Sequence, residues 1–246
     1  MLNFRSSVRD CLHVNWAVAA DALPPLPGGL RYETRGGPAG AVGFVSAVCF
    51  RQYGLRLGGM PLPSFGYPQW NLRTYVRDAE DLPSVYYFRM IVPPWVVPGA
   101  RLVGGQPVLP GRLRYPHPYD PTSDAGSTWR VDVPRSFQVR VTPDEPHPLD
   151  GGFVSWDLMV QFFRERTRGY VRTLTGLTRI GARPAATPTL ALRVRELENS
   201  LGEAILGTTL EPPLSAFLAP STEFVFALAK LPDLSLAPDP IPSPPA

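Results

Sequence analysis

Proline occurs 31 times in 246 residues, and this density limits the fold more than any other feature. Each proline fixes φ and removes a backbone donor, so it suits turns, strand edges and loops and breaks helix interiors. A chain punctuated in this way is expected to build many short strands and few helices. Enough apolar residues separate the prolines to supply a core, with hydrophobic content at 44%.

Hydrophobic periodicity places those strands. The run 41–53 is the strongest: Val42, Phe44, Ser46, Val48 and Phe50 alternate with Gly43, Val45, Ala47, Cys49 and Arg51. Both sets are nearly apolar, as in a strand buried on both faces, and its length predicts a bulge or bend. Further strands are expected at 30–33, 71–78, 84–92, 101–103, 112–115, 170–175, 177–183, 189–197 and 223–229. A hairpin is expected over 129–133 and 136–141. Gly36-Gly37-Pro38 reads as a hairpin loop. One convincing helix spans 155–166, with Ser155 as N-cap, Asp157 in the first turn and Trp156, Met159, Val160 and Phe163 as its apolar stripe. Short helices are expected at 18–23 and 201–206. Six prolines crowd 232–246, which reads as an extended tail of low order after a single domain at 1–231. Many short strands with one main helix predict an α+β fold, predominantly antiparallel β.

Composition removes several function classes. Net charge is +3, too small to imply a polyanionic partner, and no nucleic-acid interface is expected. The N-terminus carries Arg5, Arg9 and Asp10 without an apolar h-region, so no signal peptide is expected. No run approaches the ~18 apolar residues of a membrane span, and a cytoplasmic chain follows as the expectation. Among the 24 basic residues only Lys230 is a lysine, which leaves one amine for Schiff-base chemistry. Cys11 and Cys49 lack a Cys-x-x-Cys spacing, and Cys49 reads as a buried free thiol. Cys11-x-His13 is the one close pair of potential ligands; His117 and His147 sit in Pro-His-Pro triplets. Neither a metal site nor a cofactor is expected from this set. No Gly-x-Ser-x-Gly elbow, Gly-x-Gly-x-x-Gly loop or P-loop is present.

Residues 71–78, Asn-Leu-Arg-Thr-Tyr-Val-Arg-Asp, carry the candidate site. Strand alternation puts Asn71, Arg73, Tyr75 and Arg77 on one face and Leu72, Thr74 and Val76 on the other. On an outer strand the polar face would meet water; on a barrel strand it would line a cavity. A second candidate ends the helix. Arg166 continues the stripe of Met159 and Phe163, and Glu165 borders it, so either can turn inward, where a charge must be paired. Glu165 is then a candidate partner for Arg73.

Four segments together resemble the YqjF-like family, which is grouped with the acetoacetate-decarboxylase-like fold: 13–16 with 26–30, the strand 42–50, the stretch 71–77, and 162–170. The resemblance anchors most of residues 11–197. It implies an antiparallel β-barrel with a central cavity and a packed helix, with Asn71, Arg73 and Tyr75 near that cavity. It gives no reason to place the decarboxylase amine at Lys230. The resulting expectation is a protein that binds a small organic molecule, a carboxylate by preference, through Asn71, Arg73, Tyr75, Glu165 and Arg166. Tyr75 or Glu165 would serve as acid or base if it is an enzyme. Two alternatives stand beside it: a structural or regulatory module whose polar cluster only stabilises the barrel, and a lyase using Lys230.

Overall fold

The computed structural model describes residues 2–37, 40–57, 60–61, 66–104, 106–120, 122, 126–146, 152–173, 176–182 and 187–230. The expected tail at 232–246 and His147 lie outside them. Fifteen strands share one sheet: β1 (Leu2–Ala19), β2 (Arg31–Tyr32), β3 (Arg35–Gly37), β4 (Gly40–Leu57), β5 (Met60–Pro61), β6 (Tyr67–Arg77), β7 (Pro83–Val92), β8 (Val108–Pro110), β9 (Arg112–Arg114), β10 (Ser127–Asp132), β11 (Ser136–Pro143), β12 (Arg168–Thr173), β13 (Gly176–Ala182), β14 (Leu190–Glu198) and β15 (Ser215–Lys230). Among the described residues three α-helices accompany them, α1 (Val97–Gly104), α2 (Trp156–Arg164) and α3 (Ser200–Leu206). The order is β1-β4-β6-β7-β12-β13-β15-β14-β11-β10-β9, with β1 also paired to β15. Pairing is antiparallel except where β7 meets β12 and β8. No helix among the described residues is long and apolar enough to cross a membrane.

The strong apolar run became β4, and its bend is explicit. Between the pairs Arg5↔Arg56 and Ser7↔Tyr53 two residues of β4 oppose one of β1, where Gly54 takes φ 61°. A second bulge lies on β1 between Arg9 and Leu12, where Asp10 takes φ 51°. Such extra residues twist and curl a long ladder. The central strands bury both faces. On one, Leu12, Val14, Trp16, Val45, Ala47, Cys49, Trp70 and Leu72 pack against Trp129, Val131, Phe137, Val139 and Val141 of β10 and β11 and against Leu201 and Leu206 of α3. On the other, called here the inner face, Phe44, Tyr75, Val85 and Phe217 meet Met159, Phe162 and Phe163 of α2.

Three expectations are corrected. Residues 101–103 belong to α1, not to a strand; a three-residue apolar run cannot separate the two periods, and Pro98 fits a first helical turn. Residues 11–19 continue the long strand β1, and only Ala20–Ala22 form a turn of 3-10 helix. The main helix stops at Arg164, two residues early, because its last carbonyls take side-chain donors in place of another turn.

Asp78 closes the β6–β7 turn and ties it to β12. Its carboxylate accepts from the backbone of Glu80 (2.9 Å) and Leu82 (3.0 Å), from Tyr170 Oη (2.8 Å) and from Arg168 Nη1 (3.1 Å). Burial opposes ionisation, yet these donors outweigh it and hold the carboxyl below its ordinary 3.8. Because the folded pKa is depressed, this stabilisation is present above pH 3.8 and is lost as pH falls through the lower folded value. Asp78→Ala is therefore expected to cost about 2 kcal/mol at neutral pH by urea unfolding, with wild type and variant converging in strong acid.

Candidate functional site on the inner face

The alternation along 71–78 separates two buried faces rather than core from water. Leu72, Tyr75 and Val76 are fully buried and Asn71 is buried; Arg73 is half-buried. Strand register sets Arg73 beside Ser46 and Ser46 beside Asn15, so three strands place polar side chains in one row. Arg73 Nη2 donates to the carbonyl of Phe163 (2.8 Å) and to Tyr75 Oη (3.3 Å). Tyr75 Oη lies 2.8 Å from Ser46 Oγ. Ser46 Oγ donates to Asn15 Oδ1 (2.6 Å), and Asn15 Nδ2 donates to Ser215 Oγ (3.0 Å). Each hydroxyl has one proton. Ser46 gives its proton to Asn15, so the Tyr75 proton goes to Ser46 or to the Phe163 carbonyl 3.3 Å away. Either acceptor commits the Tyr75 proton to the fold. Asn71 accepts from Gln69 Nε2 (2.8 Å).

The helix end resolves the second candidate pair. Arg166 turns inward, its side chain 5% exposed, and donates from Nε to the carbonyl of Phe162 (2.9 Å) and from Nη1 to Glu33 (2.6 Å). Its guanidinium lies 4.3 Å from the centre of the Phe162 ring and 5.4 Å from that of Tyr75. Burial lowers its pKa, and Glu33 offsets part of that. Glu33 also takes Arg77 Nη2 at 3.0 Å. Glu165 faces outward, exposed, and accepts from Gln161 Nε2 (2.8 Å). The expected Glu165 partnership with Arg73 is thus replaced by a Glu33 partnership with Arg166. The helix leaves its axis at Glu165, so spacing no longer dictated direction. Glu165 and Arg166 instead border an open surface hollow of about 340 Å³ with Glu33, Arg35, Phe153 and Phe162.

The inner face also holds residues that the pattern of 71–78 did not indicate. His13 is 4% exposed. Its Nε2 lies 3.5 Å from Cys11 Sγ, and its ring stacks on Phe217 with centroids 4.6 Å apart. Burial, with the charges of Arg73 and Arg164, holds His13 well below its ordinary value, so it is neutral at pH 7. Burial pushes the Cys11 thiol up to about 12, although Arg73 and Arg164 pull the other way. Two buried atoms here lack a hydrogen-bond partner among the described residues: His13 Nδ1 and Arg73 Nε. The i, i+2 spacing of Cys11, His13 and Asn15 was the available signal, once β1 is known to be a strand. His117 lies elsewhere, between Tyr53 and Asp10. Among the described residues no three His, Cys, Asp or Glu side chains converge as metal ligands. Lys230 pairs with Thr178 at the end of β15; its side chain lies outside the described residues.

Removing a central member of the polar row leaves its neighbours buried and unpaired. Ser46→Ala is expected to cost about 2 kcal/mol. A double-mutant cycle with Tyr75→Phe is expected to return about 1 kcal/mol of coupling, both read by urea unfolding. Additive losses would mean the row is not connected.

Comparison with known proteins agrees with this architecture. Solved structures with similar folds include an acetoacetate-decarboxylase-like enzyme from Sphingomonas wittichii RW1, 17% identical, with a TM-score of 0.58 over 95% of this chain and 94% of that one. They also include the enduracididine biosynthesis enzyme MppR. In complex with pyruvate it is 13% identical, with a TM-score of 0.56 over 95% of this chain and 91% of that one. With the condensation product of pyruvate and imidazole 4-carboxaldehyde it is again 13% identical, with a TM-score of 0.58 over 93% and 88%. At these identities the likeness shows the fold alone. No curated protein sequence matches significantly. The family model DUF2071, described as an uncharacterised conserved protein, matches residues 5–223, in keeping with the YqjF-like resemblance. The chain belongs to the DUF2071 family.

Proposed function

We propose that this protein binds a small organic carboxylate on the inner face of an acetoacetate-decarboxylase-like barrel, with Arg73 as the anion holder and without Schiff-base decarboxylase chemistry. One observation carries the reading. Among the described residues Arg73 makes no ion pair: its neighbours are Tyr75, Tyr87, Cys11 and the Phe163 carbonyl, none of them an acid. Burial works against the Arg73 charge and the neighbouring tyrosines more than offset it, but the cation keeps no formal counter-charge, which an incoming anion would supply. Its unpartnered Nε and planar fork suit a carboxylate. Support for a barrel comes from the pairings, which run β1-β4-β6-β7-β12-β13-β15 and return to β1. Support for the ligand class comes from MppR, whose structures hold pyruvate and a pyruvate condensation product. Asn71 completes the ligand's polar contacts. Tyr75 holds the guanidinium rather than the proton inventory of a reaction, and Glu165 and Arg166 form the outer border.

A second reading has its own observation. The hydrogen-bonded row from Arg73 to Ser215 is fully satisfied at each internal oxygen, as a purely structural network would be.

Thermal unfolding with acetate, pyruvate and acetamide on wild type and Arg73→Gln separates the two. Ligation of the native state raises the midpoint with concentration, by the equivalent of about 2.7 kcal/mol at a hundred times Kd. The binding reading expects a rise with pyruvate or acetate on wild type, none with uncharged acetamide, and none on folded Arg73→Gln. No carboxylate-dependent shift on wild type, or an equal shift on the variant, would reject it in favour of the structural network.

A further inference from the structure

We propose that Tyr53, His117 and Asp10 form a second site, at the surface, in which the Tyr53 phenol is a nucleophile, His117 its base and Asp10 the group that orients the base. Its substrates are acyl donors with an acidic leaving group, such as aryl esters and acyl phosphates. The site shares no residue with the inner face and does not rest on the binding reading.

Strand register, a bulge and a pinned loop bring the three side chains together. Tyr53 of β4 sits opposite Ser7 of β1, and Arg51 opposite Arg9, so Arg9 and Tyr53 share a face. The bulge between Arg9 and Leu12, where Asp10 takes φ 51°, interrupts the alternation of β1, and such bulges re-aim a side chain. His117 comes from the segment beyond β9. That segment is held to the sheet by Tyr115, whose Oη donates to the Gln69 carbonyl (3.0 Å) and whose carbonyl accepts from Arg51 Nη2 (3.2 Å). His117 Nδ1 lies 3.0 Å from Asp10 Oδ2, and His117 Nε2 lies 3.0 Å from Tyr53 Oη. A carboxylate only accepts, so Nδ1 carries the imidazole proton, and Nε2 of the neutral ring accepts from the phenol. Hydroxyl, base and orienter thus stand within hydrogen-bond reach in the order that activates a nucleophile. Access does not require a cavity: the His117 side chain is 38% exposed, and Tyr53 is half-buried. The exposed Arg9 guanidinium lies 5.1 Å from the centre of the Tyr53 ring, a cation beside the charge that develops on an acyl oxygen.

In the first step Tyr53 Oη bonds to the acyl carbon as its proton passes to His117 Nε2, and the carbonyl π pair moves to oxygen. That pair returns, the bond to the leaving group breaks, and the leaving group departs with its electron pair and the proton from His117. Asp10 holds the imidazolium between these events. Water then attacks the acyl-tyrosine and gives its proton to Nε2. The carboxylic acid leaves, and the phenol oxygen takes the proton back; no oxidation state changes. The nucleophile sets the substrate class. A tetrahedral adduct expels its weaker base, so a phenol oxygen displaces aryloxide or phosphate and returns itself from alkyl esters and amides.

Phenylmethanesulfonyl fluoride and 4-nitrophenyl acetate test this on the intact protein. With the fluoride, the S–O bond to Tyr53 forms, fluoride leaves and the phenol proton goes to His117; the stable ester is located by mass spectrometry of peptides. Tyr67 is the internal control. It is half-buried like Tyr53, and its Oη donates to the Gln52 amide oxygen at 2.7 Å, which is no base. Tyr53 is expected to be labelled about a hundredfold faster than Tyr67. His117→Gln, shown folded by circular dichroism, is expected to slow Tyr53 about tenfold or more and to leave Tyr67 unchanged. Asp10→Asn keeps an acceptor for Nδ1 and removes the charge that holds the imidazolium, so it too is expected to slow Tyr53 and not Tyr67. Release of 4-nitrophenolate from 4-nitrophenyl acetate is expected to be lost in Tyr53→Phe, and ethyl acetate is expected to stay intact. Labelling of Tyr53 no faster than Tyr67, or unchanged by His117→Gln or Asp10→Asn, would overturn the proposal. So would 4-nitrophenolate release undiminished in Tyr53→Phe, or hydrolysis of ethyl acetate that depends on Tyr53.

Discussion

The carboxyl end of α2 is the point on which the inner face depends. A helix leaves its last carbonyls without intrahelical donors, and here those of Phe162 and Phe163 point into the protein. Two guanidinium groups meet them, Arg166 from the chain just beyond the helix and Arg73 from β6. The negative end of the helix dipole partly compensates the buried charge of Arg73, which lets the cation sit there without an acid beside it. Aromatic packing sets the approach: Phe44, Tyr75, Phe153, Phe162 and Phe163 pack with centroids 5.0–5.8 Å apart. Helix, sheet and site are therefore one construction. Displacing α2 would remove the Phe163 carbonyl from the Arg73 guanidinium.

Much of this was legible in the sequence, and the limits have physical causes. Long alternating runs identified β4, β6, β7 and the β10–β11 pair, and Ser155 with its apolar stripe identified α2. The strand β1 was hidden because Cys11, His13 and Asn15 are polar residues on a buried face, which blurs the apolar alternation that signals a strand. Alternation likewise revealed that Asn71, Arg73 and Tyr75 share a face; a period of two cannot say whether that face meets water or a second core. Glu33 could not be found as the partner of Arg166, because the two are 133 residues apart and only the fold joins them.

The polar set that looked like a single constellation divides in two. Asn15, Ser46, Tyr75 and one edge of Arg73 form a satisfied row that pins β1, β4, β6 and β15 in register. The other edge of Arg73 keeps an unpartnered Nε, and His13 an unpartnered Nδ1, among the described residues. The proposed anion would supply an acceptor for Arg73 Nε. The likeness to decarboxylase-like enzymes, at 13–17% identity, carries the fold alone.

The central claim, that Arg73 awaits an anionic partner, is tested most directly by the side-chain NMR signal of its Nε–H group. The resonance is assigned by its loss in Arg73→Lys and followed during titration with pyruvate. The account predicts a saturable downfield proton shift confined to Arg73 and abolished when acetamide replaces the acid. An Arg73 Nε–H resonance that stays fixed through the titration, while the exposed arginines respond only to ionic strength, would contradict it.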